Sequence, residues 1–226
     1  MASMWGVQRP VVFDLFHTLV HGGDPERDRV IGEMALIVGV EPAALVAAYH
    51  ASWRDRMTGW DTAETVRNLA RRLGGAPTDE QVARAAAHRR RLAERLLGRV
   101  SNPTLAVLDA LRADGHPIGL ISNATAETAE AWRSSALSRR VDAAVFSCEV
   151  GLAKPDPAIY RTVAERLGVD PAECVFVGDG ADGELAGAAA VGMTVLRTME
   201  HNDSDPAWDG RALATLGDLP ALLHEG

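Results

Sequence analysis

Lysine is almost absent from this sequence: 22 of its 23 basic residues are arginine, and the only lysine is Lys154. Cysteine is scarce as well, since Cys148 and Cys174 are alone in 226 residues and do not form a disulfide framework. No run of 18 apolar residues occurs, and the first ten residues contain no apolar signal core. These absences exclude a disulfide-rich secreted domain and a membrane span, and we expect a cytoplasmic protein with reduced thiols.

Positive charge is also in deficit, because 31 acidic and 23 basic side chains give a formal net charge of −8. A surface that binds nucleic acid or an anionic membrane needs clustered positive charge, so neither is expected as the main partner. What the sequence does contain is apolar residues, at 47%, against 24% charged residues. That balance is typical of a folded domain, and the length suffices for one domain or for one domain with a smaller insertion.

Five short apolar runs have the length and β-branched content of strands buried on both faces of a parallel sheet. They are residues 10–16, 117–122, 143–147, 174–179 and 193–198. Between the later runs the spacing of apolar residues predicts helices, one of which begins at Asp156-Pro157 and ends at Gly168. Alternating strands and helices are typical of an α/β fold with a doubly wound, Rossmann-like parallel sheet.

Residues 21–100 contain no run that resembles a strand. Apolar spacing predicts four helices there, near 25–38, 42–57, 62–73 and 79–97. We therefore predict an α/β core made of residues 1–20 and 101–226, with an inserted all-helical cap over residues 21–100. Ligands bind at the carboxyl ends of the strands in such sheets, and a cap that leaves directly after the first strand covers that edge.

Polar side chains follow each of the first four predicted strands. The first strand is followed by Asp14 and Thr18, the second by Ser122-Asn123, the third by Lys154 and the fourth by Asp179, with Asp182 and Glu184 beyond it. Carboxylates are ligands that Mg²⁺ prefers, while a lysine and a hydroxyl bind the oxygens of a phosphoryl group. A positioned aspartate also acts as a nucleophile. The pattern predicts a site for a small anionic substrate beside a divalent metal.

The order of these residues resembles the four sequence motifs of the haloacid dehalogenase-like (HAD) superfamily, over the whole chain and with a helical cap between the first two motifs. The resemblance implies a hydrolase in which Asp14 is the nucleophile. It implies that Ser122 and Lys154 hold the group that is transferred, and that Thr18 and Asn123 contact the substrate.

The same resemblance implies an Mg²⁺ cofactor. Its ligands are then Asp14, Asp179 and the main-chain carbonyl of Phe16. A further acidic residue lies in the outer shell of the metal, and the spacing allows either Glu184 or Asp182 for it.

Phe16 departs from the pattern of the phosphatases, which carry a second aspartate there to protonate the leaving group and to activate water. The 2-haloacid dehalogenases have an aromatic residue at this position, and residues 14–19 resemble theirs, whereas phosphonoacetaldehyde hydrolases have a small residue. Arg54 resembles the arginine with which dehalogenases bind their substrate. Asp179 argues against that branch, since dehalogenases need no metal and carry a neutral residue there.

Three functions stay open on these grounds. We favour an Mg²⁺-dependent phosphatase that acts on a small metabolite through an aspartyl-phosphate at Asp14, because a buried Asp179 without a cation is costly. The alternatives are a metal-independent 2-haloacid dehalogenase and a HAD-like binding protein whose chemistry is weakened by Phe16. The oligomeric state also stays open, and a homodimer is one of the alternatives.

Two histidines are candidates to replace the missing acid, His17 and His21. Alternate residues of a strand face opposite sides, so His17 is expected to point away from Asp14 unless the chain has already turned.

The run Arg89-Arg90-Arg91 is predicted to lie on the solvated face of its helix.

Overall fold

A computed structural model describes residues 8–224. Its centre is a parallel sheet with the strand order β3-β2-β1-β4-β5-β6. The strands are β1 (Val11–Phe13), β2 (Ile118–Ser122), β3 (Ala143–Phe146), β4 (Val175–Gly178), β5 (Thr194–Thr198) and β6 (Ala212–Leu213). The predicted doubly wound α/β fold is confirmed, and the two-residue β6 at the sheet edge is a strand that the sequence did not indicate.

β1 lies inside the sheet, where Val11 is level with Ile118 of β2 and with Val175 of β4. Val11 and Phe13 belong to one hydrophobic cluster and Val12 to another, as the alternating faces of a strand require. The carboxyl ends of β1, β2 and β4 therefore meet at one edge of the sheet. The strand order reverses at this point, which is where open α/β sheets bind ligands.

Helices cover both faces of the sheet. Within residues 8–224 they are α1 (Asp24–Val38), α2 (Pro42–Ala51), α3 (Trp53–Thr58), α4 (Thr62–Arg72), α5 (Asp79–Leu97), α6 (Asn102–Ala113), α7 (Ala126–Trp132), α8 (Ser147–Val150), α9 (Pro157–Leu167), α10 (Glu184–Ala190) and α11 (Leu219–His224). Buried residues of α6, α7 and α11 join one hydrophobic cluster, and those of α9 and α10 join the cluster on the opposite face.

The helical insert, which we define as α1 to α5, lies between β1 and α6 in the chain. It has a hydrophobic cluster of its own, with Met34, Leu45, Leu69 and Leu92 among the buried residues. The domain boundaries at residues 20 and 101 stay a prediction.

In the described part of the chain, no single helix is long and apolar enough to cross a membrane. Only α1 and α2 taken together have the required length and apolar composition, and they are bent by 119° relative to each other.

The continuous helix predicted over residues 42–57 is wrong, because α2 and α3 are separate helices that break at Ser52. The Ser52 hydroxyl donates to the Tyr49 carbonyl at 3.1 Å, and Nη2 of Arg56 donates to the same carbonyl at 2.7 Å. Side chains that hydrogen-bond nearby main-chain groups compete with a continuing helix. The break lets α3 pack against α8, next to the carboxyl edge of the sheet.

A buried ion pair joins the insert to α7. Arg89 of α5 donates through Nε and Nη2 to one carboxylate oxygen of Glu127, at 3.0 and 2.7 Å. The Thr62 hydroxyl donates to the other oxygen at 3.2 Å. The prediction of a solvated Arg89 is therefore wrong, since only 7% of the residue is exposed. Arg91, on the same helix, is exposed as predicted.

Candidate active site

The first candidate residue, Asp14, lies where the chain leaves β1. Its main-chain N–H donates to the carbonyl of Val177 in β4 at 2.9 Å, and only 6% of the residue is exposed. The main-chain N–H groups of Leu19 and Val20 both donate hydrogen bonds to the carbonyl of Leu15, so the chain turns sharply after Asp14. The predicted first strand consequently ends earlier than residue 16.

Thr18 lies within this turn and is fully buried. Its hydroxyl has no hydrogen-bond partner in the described part of the chain. Ser122, the last residue of β2, is 1% exposed. The structure thus places two buried hydroxyl groups at the carboxyl ends of the neighbouring strands β1 and β2, and such groups suit the oxygens of an anion.

Lys154 is the centre of the site. Its ammonium group contacts the carboxylates of Asp14 and Glu184, and the residue is 6% exposed. Asn123 fixes the main chain of the lysine from both sides: its Oδ1 accepts from the N–H of Lys154 at 2.8 Å, and its Nδ2 donates to the carbonyl at 3.1 Å. Asn123 is therefore placed to position the lysine, a role that sequence reasoning missed.

Asp179 follows β4 and is fully buried. Its Oδ1 accepts from the N–H of Ala181 at 3.2 Å, and its Oδ2 accepts from the hydroxyl of Ser204 at 2.6 Å. The Ser204 N–H also donates to the main-chain carbonyl of Asp179 at 3.0 Å. Sequence reasoning missed Ser204 as well; the only signal for it was the polar stretch 201–205 after β5.

The structure distinguishes the two acids for which the sequence left a choice. Glu184 is fully buried, and its Oε1 accepts from the Gly180 N–H at 3.1 Å. One oxygen from each of Asp14, Asp179 and Glu184 lies within 4.8 Å of the others. Asp182 is exposed and accepts from Nδ2 of Asn123 at 3.1 Å, so it is not part of this cluster.

Burial is the largest influence on the pKa values of Asp14 and Glu184. It raises the pKa of Asp14, and Lys154 offsets part of the rise. Burial likewise raises the pKa of Glu184 to about 8, against the opposing charge of Lys154. Burial by itself would lower the pKa of Lys154, but the charges of Asp14 and Glu184 outweigh it and raise the pKa. Asp14 and Glu184 thus resist ionising together beside one ammonium group, and a divalent cation with a preference for oxygen ligands fits the cluster that they form with Asp179.

A cavity of about 410 Å³ opens beside the cluster, between α3 of the insert and the loop that contains Lys154. Asn123 and Asp182 line it from the core, and Trp53 and Arg54 line it from the insert. Arg54 is exposed and lines this cavity together with Lys154. Within residues 8–224 its side chain makes no hydrogen bond to the other candidate residues, and its role in binding substrate stays a prediction.

The position of the missing acid is occupied by the half-buried Phe16, whose ring lies 4.4 Å from the guanidinium carbon of Arg27. His17 has a positive φ of 65°, and its ring lies 5.9 Å from that of His21. Its Nε2 is 3.5 Å from the Asp24 carboxylate. His17 thus contacts the first residue of α1, and no hydrogen bond joins it to the acidic cluster in the described residues.

Known proteins resemble this chain in sequence and in fold. The sequence pattern of haloacid dehalogenase-like hydrolases matches residues 9–192. An (S)-2-haloacid dehalogenase from a Pseudomonas strain is 32% identical over 120 residues, which are 51% of this chain and 52% of that protein. A phosphoglycolate phosphatase from Escherichia coli is 28% identical over 205 residues, covering 82% and 81% of the two chains.

Among solved structures, a HAD phosphatase from Thermococcus onnurineus superposes with a TM-score of 0.69 at 21% identity, covering 95% of this chain and 97% of that one. Four of the curated relatives align with this chain over only 21% to 52% of their own lengths. The match over residues 9–192 covers most of the chain, and it includes all of the candidate site residues. The chain belongs to the haloacid dehalogenase-like hydrolases.

Proposed function

We propose that the chain is an Mg²⁺-dependent phosphatase that cleaves a small phosphate ester through an aspartyl-phosphate at Asp14. The observation that carries this proposal is the buried cluster of Asp14, Asp179 and Glu184 around Lys154. Oxygen donors of this kind suit Mg²⁺, and a lysine beside them suits a phosphoryl group. A metal-independent enzyme gains nothing from Asp179, whose burial is costly without a cation.

In this proposal the metal ligands are Asp14, Asp179 and the main-chain carbonyl of Phe16, and Glu184 supports them from the outer shell. When bound, Mg²⁺ would neutralise the carboxylates and polarise the phosphoryl oxygens. In this proposal Asp182 has no part in the metal site, because its exposed carboxylate accepts a hydrogen bond from the side-chain amide of Asn123.

The protein's own groups account for the covalent step. A carboxylate oxygen of Asp14 attacks phosphorus while the bond from phosphorus to the ester oxygen breaks, and the leaving alcohol takes a proton from water. Lys154, Ser122 and Thr18 stabilise the charge on the phosphoryl oxygens. Water then cleaves the aspartyl-phosphate, which releases inorganic phosphate and restores the carboxylate.

Phe16 sets the kinetic character of this hydrolysis. General acid–base help is worth about 10²–10⁴-fold, and a phenyl ring supplies none of it. We therefore expect aryl phosphates, which have acidic leaving groups, to be cleaved much faster than alkyl phosphates. Phe16→Asp should narrow that gap by speeding the cleavage of alkyl phosphates. If the variant shows no such gain in a phosphate-release assay, the assignment of this position is wrong.

A second candidate is a metal-independent 2-haloacid dehalogenase. Two observations favour it: the aromatic Phe16 follows the candidate nucleophile, and Arg54 lines the same cavity as Lys154. An arginine fork suits a carboxylate or a leaving halide. Under this candidate, Asp14 would attack the carbon that bears the halogen, and the halide would leave.

One experiment separates these functions. Purified protein is tested with a panel of phosphate esters and 2-haloacids, each with Mg²⁺ and with EDTA, and Asp14→Asn is compared with Asp209→Asn, a substitution of an exposed aspartate, as the matched control. Phosphate release that needs Mg²⁺ and is lost only in Asp14→Asn supports the phosphatase. Halide release in EDTA supports the dehalogenase instead. If neither occurs while Mg²⁺ raises the melting temperature, the protein is a HAD-like binding protein.

A further inference from the structure

A second cavity, of about 310 Å³, lies within the helical insert. It is distinct from the cavity at Lys154, and of its lining residues only Trp53 also lines that one. We name it the arginine cavity after Arg27, Arg56 and Arg89, which line it together with the aromatic residues Tyr49 and Trp53. No step of the proposed phosphatase reaction uses these arginines.

Guanidinium groups outnumber the carboxylates that hydrogen-bond them in this cavity. Of the three cavity arginines, only Arg89 donates hydrogen bonds to a carboxylate within residues 8–224, that of Glu127. Arg56 donates to two neutral acceptors, the Tyr49 carbonyl and the Ser52 hydroxyl.

The two acids at the cavity wall, Asp24 and Asp28, do not balance this charge. Asp24 forms a salt bridge with Nε of Arg27 at 3.9 Å, but its side chain is 68% exposed, so solvent screens its charge, and the distance is too long for a hydrogen bond. Asp28 is paired with Nε2 of His50 at 2.9 Å. The interior of the cavity therefore has an excess of positive charge.

Three buried polar atoms of the lining residues have no hydrogen-bond partner within residues 8–224. They are Nε of Arg27, Nη1 of Arg89 and the hydroxyl oxygen of Tyr49. Buried donors without partners are rare in folded proteins, and each calls for a specific explanation. A ligand with several acceptor oxygens in this cavity would give all three a partner.

The pKa values of Arg27 and Arg56 agree with such a ligand, whereas the pKa of Arg89, which burial alone would lower, is raised by Glu127. Burial, followed by the positive charge of Arg89, lowers the pKa of Arg27 to about 10. Burial and Arg89 likewise lower the pKa of Arg56. The guanidinium of Arg56 lies 4.8 Å from the ring centre of Tyr49 and 5.1 Å from that of Trp53, so it is held in place by packing. An anion in the cavity would relieve the repulsion among charges that are already oriented.

Phe16 connects the arginine cavity to the reaction site. It follows Asp14 by two residues, so their Cα atoms lie within about 7 Å, and its ring stacks on Arg27 at 4.4 Å. Phe16, Arg27, Trp53 and Arg89 also border a narrow gap whose volume, about 10 Å³, suits one water molecule. The side chain that occupies the place of the missing acid thus lies next to both anion-binding sites.

We propose that the arginine cavity binds a carboxylate at the non-reacting end of the substrate, so that this enzyme selects phosphate esters of small carboxylic acids. The substrate role rests on the proposed phosphatase function, whereas the binding of a carboxylate does not. The planar guanidinium fork matches the two oxygens of a carboxylate, and the Tyr49 hydroxyl supplies a further donor.

Binding is tested without catalysis, by calorimetric titration of the full-length protein with succinate in chloride-free buffer. We expect saturable binding that Arg27→Gln weakens about 10-fold or more, as for a hydrogen bond to a charged group. Arg91→Gln, an exposed arginine on α5, is the matched control and should bind as the wild type does. If Arg27→Gln melts at the wild-type temperature or higher, Arg27 serves ligand binding, because removal of an arginine with a structural role would destabilise the protein. Absent binding, or equal loss in both variants, overturns the proposal.

The substrate role is tested with matched esters: 4-carboxyphenyl phosphate against 4-carbamoylphenyl phosphate, and 3-carboxypropyl phosphate against its amide. We expect kcat/KM to favour the acid about 10-fold or more, and Arg27→Gln to remove most of that preference. Equal kcat/KM for acid and amide refutes the substrate role while the phosphatase function stands. If no ester is cleaved, the phosphatase function fails, and the succinate titration still decides whether the cavity binds a carboxylate.

Discussion

Replacing Glu127 by glutamine is expected to destabilise the protein by about 3 kcal/mol at pH 7. The substitution keeps the shape of the side chain and removes the charge that faces Arg89, which stays buried. Breaking a buried ion pair by removing one partner costs about 3–5 kcal/mol. The pKa of Glu127 gives a second measure: burial would raise it, but Arg89 and hydrogen bonds lower it from 4.5 to about 2, which corresponds to about 3 kcal/mol.

The same ion pair makes stability depend on pH. The pKa of Glu127 is lower in the folded state than its ordinary value of 4.5. The carboxylate therefore makes its full contribution to the free energy of unfolding when the pH is above 4.5. The contribution is lost as the pH falls through the folded-state pKa of about 2. The wild type should therefore lose this stability on acidification from pH 5, whereas Glu127→Gln has none of it left to lose.

Urea unfolding at pH 7 and at pH 3 measures both effects. Glu130→Gln is the matched control, since Glu130 lies on the same helix and is exposed. Combining Glu127→Gln with Arg89→Met should recover much of the loss, because the unpaired charge is then gone as well. If Glu127→Gln lowers the free energy of unfolding no more than Glu130→Gln does, the pair does not hold the insert to α7, and our account of Arg89 is refuted.

Three further predictions concern the site itself. Lys154→Arg should lower phosphate release by at least about 100-fold, since a planar guanidinium does not fit between the two carboxylates that the ammonium contacts; near-normal turnover would show that the site is misplaced. Gly178→Ala should lower the melting temperature, at a cost of about 1–3 kcal/mol, because its new methyl group would collide with the Glu184 carboxylate. Gly32→Ala, in the interior of α1 with nothing nearer to the added carbon than 3.8 Å, should instead stabilise by about 0.5–1 kcal/mol, and the opposite order would contradict the packing described here. Ser204→Ala removes the hydroxyl that orients the buried aspartate after β4 and should raise the Mg²⁺ concentration for half-maximal activity about 10–100-fold, whereas an unchanged Mg²⁺ titration would separate Ser204 from the metal.

The assembly of the site was predictable because parallel strands end at one edge of a sheet. Asp14, Ser122, Lys154 and Asp179 are far apart in the sequence, yet each lies at the carboxyl end of a strand or in the segment that follows one, so the fold class brings them together. The choice between Glu184 and Asp182 was not predictable. It depends on a turn of irregular backbone after β4, which leaves Asp182 exposed with a positive φ of 55°.

Contacts between side chains that are far apart in the sequence could not be predicted. A run of three arginines resembles a solvated surface, and the burial of Arg89 depends on Glu127, 38 residues away. The break at Ser52 was also hidden, because serine is tolerated in a helix until its hydroxyl and Arg56 both engage the Tyr49 carbonyl. Local spacing carries no information about such contacts.

The single lysine gives this protein a built-in reporter. Reagents that attack amines need a neutral, accessible nitrogen, and Lys154 is 6% exposed with a pKa raised by the two acids that it contacts. No other side-chain amine exists in the sequence to compete for the label. The rate at which an amine-specific reagent modifies residue 154 therefore measures how often the ammonium group leaves its two carboxylates, loses its proton and becomes accessible.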